Sequence, residues 1–273
     1  FGNGLYNDHH YHYGYWIYAA AVVARYDPPW AAQYHQRVLT LIRDIANPSR
    51  LDPHFTQWRH FDWYVGHAWA GGIFPLPQGR NQESNSESIN AWTAIALYGE
   101  AVGSRPLALL GRAQAWMETM SAKYYWHVPV DADIYPNEFK HKLVGILFDS
   151  QVTSWTWFGH EHWKVHGIQL IPITPVIYTL FSPNFVQSAY KVYDRVCEKD
   201  PNCAKSGFNV FAIAEQAFVD RDAAWEAAKA LSDSAFEGPG GGGNSRTNTL
   251  YFIASWGHQP PAHWYPNATG LCS

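Results

Sequence analysis

The sequence has few cysteines, few charged side chains and no long apolar run. Only three of its 273 residues are cysteine, which excludes a scaffold held together by many disulfides. Lys and Arg total 19 against 23 Asp and Glu, so the net charge is −4 and no basic patch indicates nucleic acid. No stretch approaches the roughly 18–20 uncharged apolar residues that cross a bilayer. We therefore expect a folded protein without a nucleic-acid or membrane partner.

Aromatic residues, in contrast, are abundant. They make up 16% of the chain, with 14 Trp and 17 Tyr, while charged residues make up only 15%. Rings with a polar edge suit flat, uncharged and hydrated surfaces, and sugars present such surfaces. For any single ring, filling the core is an equally good interpretation. As a group, the rings favour a carbohydrate ligand.

Apolar residues recur at helical spacing along most of the chain, and Pro and Gly interrupt the pattern where helices would end. This predicts an all-α fold. The three longest segments between helices, at 52–80, 126–149 and 155–166, are rich in rings and histidine, and we expect them to be functional loops. The predicted helices are Tyr15–Tyr26, Trp30–Ile45, Ser86–Val102, Leu107–Tyr124, Phe185–Glu198, Phe208–Phe218, Ala223–Leu231 and Thr247–Trp256.

The first candidate site lies near the start of the chain, where one carboxylate, Asp8, stands among histidines and rings. An Asp that is buried against rings has a raised pKa and can hold a proton for a leaving group. Asp8 could instead cap the following helix. His9, His10 and His12 could also bind a metal, but neighbouring side chains on a helix point about 100° apart, which disfavours convergence on one ion.

The second candidate site is the polar segment 81–90, which precedes an apolar helix and contains Glu83 and Glu87 four residues apart. Ser84 and Glu87 match a capping box, and capping alone would explain them. A helix N-terminus also stabilises negative charge, so Glu83 could remain ionised and act as a base towards water. A third segment, 59–70, places Asp62 among rings and histidines, and its spacing does not reject Asp62 as a competing acid.

Five motifs together resemble the endo-β-1,3-glucanases of glycoside hydrolase family 81. They are NDHHYHYGY at 7–15, RHFDWYVGHAWA at 59–70, NQESNSESIN at 81–90, HGIQLIPITP at 166–175 and GNSRTNTLY at 243–251. The motifs occur in the family's order and cover nearly the whole chain.

The resemblance implies an (α/α)6 barrel and an inverting mechanism without a metal or other cofactor. It implies that Asp8 is the general acid, His12 its essential neighbour, Glu83 the general base and Glu87 a second essential glutamate. The residues expected to bind substrate are Tyr6, His9, His10, Tyr13, Asp62, Tyr64, His67, Trp69, Asn81 and His166.

We expect residues 1–273 to form one catalytic helical domain that lacks the family's N-terminal β-sandwich, with a barrel incomplete at its N-terminus. The expected partner is β-1,3-glucan, and the protein is expected to be a secreted monomer. Cys197 and Cys203 flank a turn-forming sequence and could close a small disulfide loop, leaving Cys272 unpaired. Two alternatives remain at this point: a polysaccharide lyase on a helical toroid, and a glucan-binding protein without catalysis.

Overall fold

A computed structural model describes residues 2–74, 76–128, 134–189, 200, 202–203, 206–237 and 244–255. The chain is mostly helical, as predicted, and the strands among these residues are only two residues long. It divides into two compact units. The first unit comprises Phe1–Ala122 with Leu147–Gln151, and the second comprises Lys123–Ile146 with Val152–Ser273.

The elements up to residue 148 begin with a 3₁₀ turn, Asn3–Leu5. There are two antiparallel strand pairs, β1 with β2 and β3 with β4. β1, β2 and β4 lie in segments that were expected to be loops, and β3 lies at the start of the polar segment 81–90. The helices and strands are α1 (His9–Tyr26), α2 (Pro28–Ala46), β1 (Phe61–Asp62), β2 (His67–Ala68), β3 (Asn81–Gln82), α3 (Asn85–Ala101), α4 (Arg105–Tyr125) and β4 (Leu147–Phe148).

The boundary between α1 and α2 follows from local chemistry. Asp27 ends α1, and its side chain accepts a hydrogen bond of 3.0 Å from the backbone N–H of Trp30. Pro28 and Pro29 fill the first positions of α2, where no backbone N–H is needed. The predicted break at this position is confirmed.

Helix α3 occupies the core of the first unit, and its neighbours approach it through glycines. A Cβ added at Gly14 of α1 would lie 2.6 Å from the Cβ of Ala91. On α4, a Cβ added at Gly111 would lie 2.4 Å from the backbone nitrogen of Ala96. Trp92 of α3 is fully buried between these contacts. The close crossings fix the N-terminal ends of α1 and α3, which carry the candidate site.

The second unit contains shorter helices. They are α5 (His162–Ile168), α6 (Ile177–Leu180), α7 (Asn209–Gln216), α8 (Arg221–Ala230), α9 (Ser234–Glu237) and α10 (Arg246–Ser255), and residues 183–189 are also helical. Helix α5 corrects the expectation of a loop at 155–166. Its buried Trp163 packs with Ala212 and Cys203 in one apolar cluster.

Cys203 is disulfide-bonded. Cys197 and Cys272 lie outside the described residues, as does the second half of the helix predicted at 185–198. Among the described residues, no helix combines the length and apolar character needed to cross a membrane.

Candidate active site

Asp8 lies in a tight turn between the 3₁₀ turn and α1. Its backbone is left-handed, with φ 59°, and so is that of Tyr6, with φ 64°. Non-glycine residues in this region cost about 1 kcal/mol and are often held there for function. Asp8 occupies the N-cap position of α1, but its side chain makes no capping hydrogen bond. Burial raises the pKa of Asp8 to about 6. The capping alternative is therefore wrong for this side chain.

The turn at Asp8 is joined to β3 through the backbone of Ala70. The Asp8 N–H donates to the Ala70 carbonyl (3.0 Å), and the Ala70 N–H donates to the Asn81 carbonyl (2.6 Å). A Cβ on Gly72 would lie 1.9 Å from the Leu5 carbonyl oxygen, so only glycine permits this approach. Two regions about seventy residues apart in sequence are thus fixed side by side.

Tyr11 lies where the candidate carboxylates meet. Its hydroxyl is buried, and its pKa is raised first by burial and then by the negative charges of Asp8, Glu87 and Glu83. The hydroxyl oxygen accepts hydrogen bonds from the backbone N–H groups of Glu83 (3.3 Å) and Ser84 (3.1 Å). All three predicted carboxylates therefore act electrostatically on one buried side chain.

Glu87 lies in the first turn of α3. Tyr15 donates a hydrogen bond of 2.9 Å to its Oε1. Burial raises the pKa of Glu87 to about 7, although the hydrogen bonds from Ser84 and Tyr15 favour its ionised form. Ser84 is the N-cap residue, as predicted, but its side chain makes no capping bond to the helix backbone. The predicted capping box is therefore wrong, because the Ser84 side chain bonds to the Glu87 carboxyl.

The three histidines near Asp8 have different partners. His9 is buried, and its two ring nitrogens point at the carboxylate of Asp44 (2.6 Å) and the carbonyl of Asn3 (2.8 Å). His10 is buried too, and its Nε2 donates to the side-chain oxygen of Gln82 (3.3 Å). Within the described residues, no cluster of three or more His, Cys, Asp or Glu side chains has a metal-binding arrangement.

His12 is half-buried beside the turn that carries Asp8. Its Nδ1 lies 3.3 Å from the side-chain nitrogen of Asn3 and accepts a hydrogen bond from it, which leaves the ring proton on Nε2. Burial, followed by the charge of His9, lowers the pKa of His12. At neutral pH the imidazole is accordingly uncharged, and its Nε2–H is a donor.

Asp62, the competing acid, lies in a different environment. Partial burial by itself would raise its pKa, but hydrogen bonds from the Trp69 indole (3.3 Å) and the Arg80 guanidinium (2.9 Å) lower it below the usual value. The guanidinium also pairs with Asp149 at 3.0 Å. Asp62 is thus held ionised, whereas Asp8 is held closer to its protonated form.

The residues expected to bind substrate differ in how far their side chains are exposed to solvent. Tyr64 is 98% exposed and Tyr6 37% exposed, while Tyr13 and Asp62 are half-buried. His166 belongs to the second unit, where it is buried and donates to Glu215 at 2.7 Å. The predicted substrate-binding residues of the first unit whose side chains are buried are His9, His10, His67, Trp69 and Asn81.

A cavity of about 380 Å³ opens beside this region of the first unit. Trp58, Trp63 and Asp62 line it together with Arg80 and the Gly71–Gly72 pair. Gly72 packs against the backbone of the turn before Asp8, and Gly71 packs against Asn81. The cavity combines rings with an ion pair and is about the size of a sugar unit or two.

Sequence reasoning missed Tyr11, Gln82 and Glu118, which form the interior behind the carboxylates. Tyr11 lies inside the first motif, but the recognisable chemical signal of that motif came from its neighbours His9, His10 and His12. Glu118 lies in the middle of α4, where its position gives no local signal. A buried charge on an otherwise regular helix is recognisable only once the fold brings its partners together.

Comparisons with known proteins identify the family. The model of the glycosyl hydrolase family 81 C-terminal domain matches residues 1–250. A glucan endo-1,3-beta-D-glucosidase of Glycine max is 35% identical over 93% of this chain and 38% of its own length. One from Acetivibrio thermocellus is 36% identical over 77% of this chain and 28% of its own length.

A solved structure is similar as well. A variant of the family 81 glycoside hydrolase from Clostridium thermocellum superimposes with a TM-score of 0.80 and 33% identity over 90% of this chain, covering 34% of that chain. The chain therefore spans well under half the length of these relatives. Because the family model covers most of its residues, the chain belongs to the C-terminal domain of glycoside hydrolase family 81.

Proposed function

We propose that this chain carries the catalytic site of an endo-acting β-1,3-glucan hydrolase that inverts the anomeric centre. The observation that carries the proposal is the pairing of one carboxyl whose pKa is raised to about 6, Asp8, with two glutamates that act on the same buried Tyr11 hydroxyl. Two carboxylates in different environments are the usual requirement for glycoside hydrolysis. The names of the glucanase relatives support the choice of substrate.

In this proposal Asp8 is the general acid. Its raised pKa keeps a large fraction protonated in mildly acidic solution, where it donates the proton to the glycosidic oxygen of the leaving glucan. Its side chain makes no capping hydrogen bond to the helix it precedes. Asp62 is less suited, because its hydrogen bonds from Trp69 and Arg80 favour the ionised form.

Glu83 is the proposed general base. It precedes the N-cap of α3, where the helix dipole favours a negative charge. As a carboxylate it removes a proton from water, and the water attacks the anomeric carbon from the face opposite the leaving group. Inversion requires the two carboxyl groups to be roughly 6.5–9.5 Å apart, so that the water fits between them.

Glu87 and His12 have supporting roles in this mechanism. Glu87 receives the Tyr15 hydrogen bond and, with its pKa near 7, can either accept from or donate to the attacking water. His12 offers its Nε2–H beside the turn that carries Asp8. Neither group has to change its charge during the reaction.

The accessible rings and the cavity are the proposed sugar contacts. Tyr6, Tyr13 and Tyr64 offer exposed or half-exposed faces, and Asp62 with Arg80 can bind hydroxyl groups at the cavity. The buried members of the predicted set are proposed to hold these groups in position without contacting the sugar. They are His9, His10, His67, Trp69 and Asn81. We propose that His166, in the second unit, contributes to substrate binding indirectly by holding the carboxylate of Glu215 in place within that unit. The protein is further proposed to be monomeric and to act outside the cell.

Incubation with laminarin tests the proposal. Proton NMR in the first minutes should detect α-configured reducing ends before mutarotation, and the early products should be long fragments. A β-configured product would contradict inversion. An unsaturated product would indicate a lyase, and binding without new reducing ends would indicate a glucan-binding protein.

Glu83→Gln tests the assigned base. It keeps the size of the side chain but cannot take up a proton, so kcat should fall by roughly 10³-fold or more while laminarin still binds. Glu100→Gln is the matched control, since Glu100 lies at the other end of α3 and pairs with Arg112. Retained turnover in Glu83→Gln would remove Glu83 from the role of base.

A further inference from the structure

Glu118 is a buried carboxylate in the middle of α4 that the proposed mechanism does not use. It is fully shielded from solvent. Its Oε2 accepts hydrogen bonds from the Trp92 indole (2.7 Å) and the Ala68 backbone N–H (3.1 Å). Its Oε1 accepts one from the side-chain amide of Gln82 (3.0 Å). Burial raises the pKa of Glu118 to about 7, while these three N–H donors and the Ser88 hydroxyl favour the ionised form.

Gln82 connects Glu118 to Tyr11, which contacts the backbone of the proposed base Glu83. It is also fully buried, and its amide nitrogen is directed at Glu118. Its amide oxygen therefore faces the other way, where it accepts from the Tyr11 hydroxyl at 2.8 Å. Because the Tyr11 proton is used in that bond, the Tyr11 oxygen is left to accept from the backbone N–H groups of Glu83 and Ser84.

Glu118 fixes one end of this series of hydrogen bonds, and the backbone N–H groups of Glu83 and Ser84 fix the other. Both oxygens of Glu118 already face N–H donors, so the carboxyl group acts as an acceptor and holds the Gln82 amide nitrogen towards itself. If the amide were reversed, its NH₂ group would face the Tyr11 hydroxyl, which already receives two backbone N–H groups and would have no acceptor for its own proton. The hydrogen bonds thus run in one donor-to-acceptor order from the buried Glu118 carboxyl group to the backbone of the proposed base.

We propose that Glu118 is a positioning residue that holds the backbone of Glu83 and Ser84 in place through Gln82 and Tyr11. Glu118 touches no reacting atom in this scheme. The inference rests on the proposed function for the role of Glu83, but the hydrogen-bond chain has consequences that can be measured without turnover.

Glu118→Gln is the first test. It keeps the volume of the side chain but places an NH₂ group against N–H donors. This change disrupts the donor-to-acceptor order of the hydrogen bonds from residue 118 to Tyr11. Amide hydrogen exchange at Glu83 and Ser84 should accelerate by about tenfold or more, while exchange at Ile95 in the middle of α3 stays unchanged. With laminarin, kcat should fall by about tenfold or more and KM should change by less than about threefold.

The reciprocal double variant Gln82→Glu with Glu118→Gln is the rescue test. It keeps the net charge and restores the donor-to-acceptor order of the hydrogen bonds. The new amide at position 118 donates to the new carboxylate at position 82, and that carboxylate accepts from Tyr11. Exchange at Glu83 and Ser84 should return towards the wild-type rates. A double variant that exchanges as fast as the single variant would overturn the proposal.

Tyr11→Phe gives a second route if Glu118→Gln does not fold. It removes only the hydroxyl, and it should accelerate exchange at Glu83 and Ser84 and lower kcat in the same way. Tyr26→Phe, at the exposed end of the same helix, is the matched control. If Tyr11→Phe folds with exchange and kcat within twofold of wild type, the positioning role is wrong even though the glucanase assignment stands. Wild-type protein that releases no reducing ends would instead refute the proposed function, and the exchange rates would still decide the role of Glu118.

Discussion

Asp8 and Asp62 are both half-buried, yet the pKa values of their carboxyl groups are shifted in opposite directions. Asp8 has burial as its main influence, so its pKa rises to about 6. Asp62 has Trp69 and Arg80 as donors, and their hydrogen bonds outweigh its burial. The sequence could not rank the two, because both stand among rings and histidines. The ranking depends on a guanidinium that reaches Asp62 across 18 positions of the chain.

The pKa of Asp8 predicts an alkaline limit to activity. A general acid has to be protonated, so kcat/KM should fall as pH rises through about 6. The raised pKa also means that the folded state binds this proton more tightly than the unfolded chain does. Its contribution to stability is therefore fully present below pH 4 and is lost as pH rises through about 6.

A pH profile of laminarin hydrolysis checks this prediction. Asp8→Asn should remove most of the activity at every pH. Asp62→Asn, the matched aspartate, should leave the midpoint of the alkaline limb where it is in the wild type. A midpoint that moves with Asp62 and not with Asp8 would reverse the assignment of the acid.

The role of Glu118 illustrates what local sequence signals cannot reveal. Asp8 and Glu83 could be selected because each lies in a short, unusual segment. Glu118 lies on a regular helix, and its partner Gln82 is 36 positions away. Its importance follows from long-range packing, which no spacing rule in the sequence encodes.

At the level of elements, the helices of the first unit were predictable and the short segments were not. α2, α3 and α4 begin and end within two residues of the predicted boundaries. α1 begins six residues before the predicted Tyr15, because its first turns carry histidines and rings in place of a simple apolar stripe. α5 was missed, since seven residues in an aromatic, histidine-rich stretch are too few for a clear period.

Gly14→Ala should disturb both stability and catalysis. The new Cβ would lie 2.6 Å from the Cβ of Ala91, so α1 has to move away from α3. We expect the free energy of unfolding to fall by about 1–3 kcal/mol. Because Asp8 and Glu83 precede these two helices, kcat on laminarin should fall as well.

Urea unfolding and initial rates measure these two effects. Gly4→Ala is the matched control, since a Cβ at Gly4 meets no atom within 4 Å. Equal stability of Gly14→Ala and wild type would mean that the two helices do not need this contact.

At the scale of the whole molecule, the proposed catalytic carboxylates all belong to the first unit. The chain has a net charge of −4, and the proposed substrate is uncharged. Long-range electrostatic steering therefore does not accelerate the binding of this substrate. This separates a glucan hydrolase from an enzyme that binds a charged polysaccharide.

We predict that kcat/KM on laminarin changes by less than about twofold between about 0.05 M and 0.5 M NaCl. Initial rates at fixed pH, with the thermal midpoint followed in parallel, provide the measurement. A loss of tenfold or more without a change in midpoint would contradict this prediction, because it would show that charged groups of the protein control the reaction with an uncharged glucan.

The left-handed backbone at position 8 also implies that thermal stability and catalytic activity place opposite demands on this residue. Glycine adopts this conformation without steric strain, whereas aspartate does so at about 1 kcal/mol. Asp8→Gly should therefore melt at a higher temperature than the wild type while hydrolysing no glucan. Selection for heat resistance alone would favour losing the proposed proton donor, so an aspartate in this strained conformation is the result expected if position 8 is retained for catalysis.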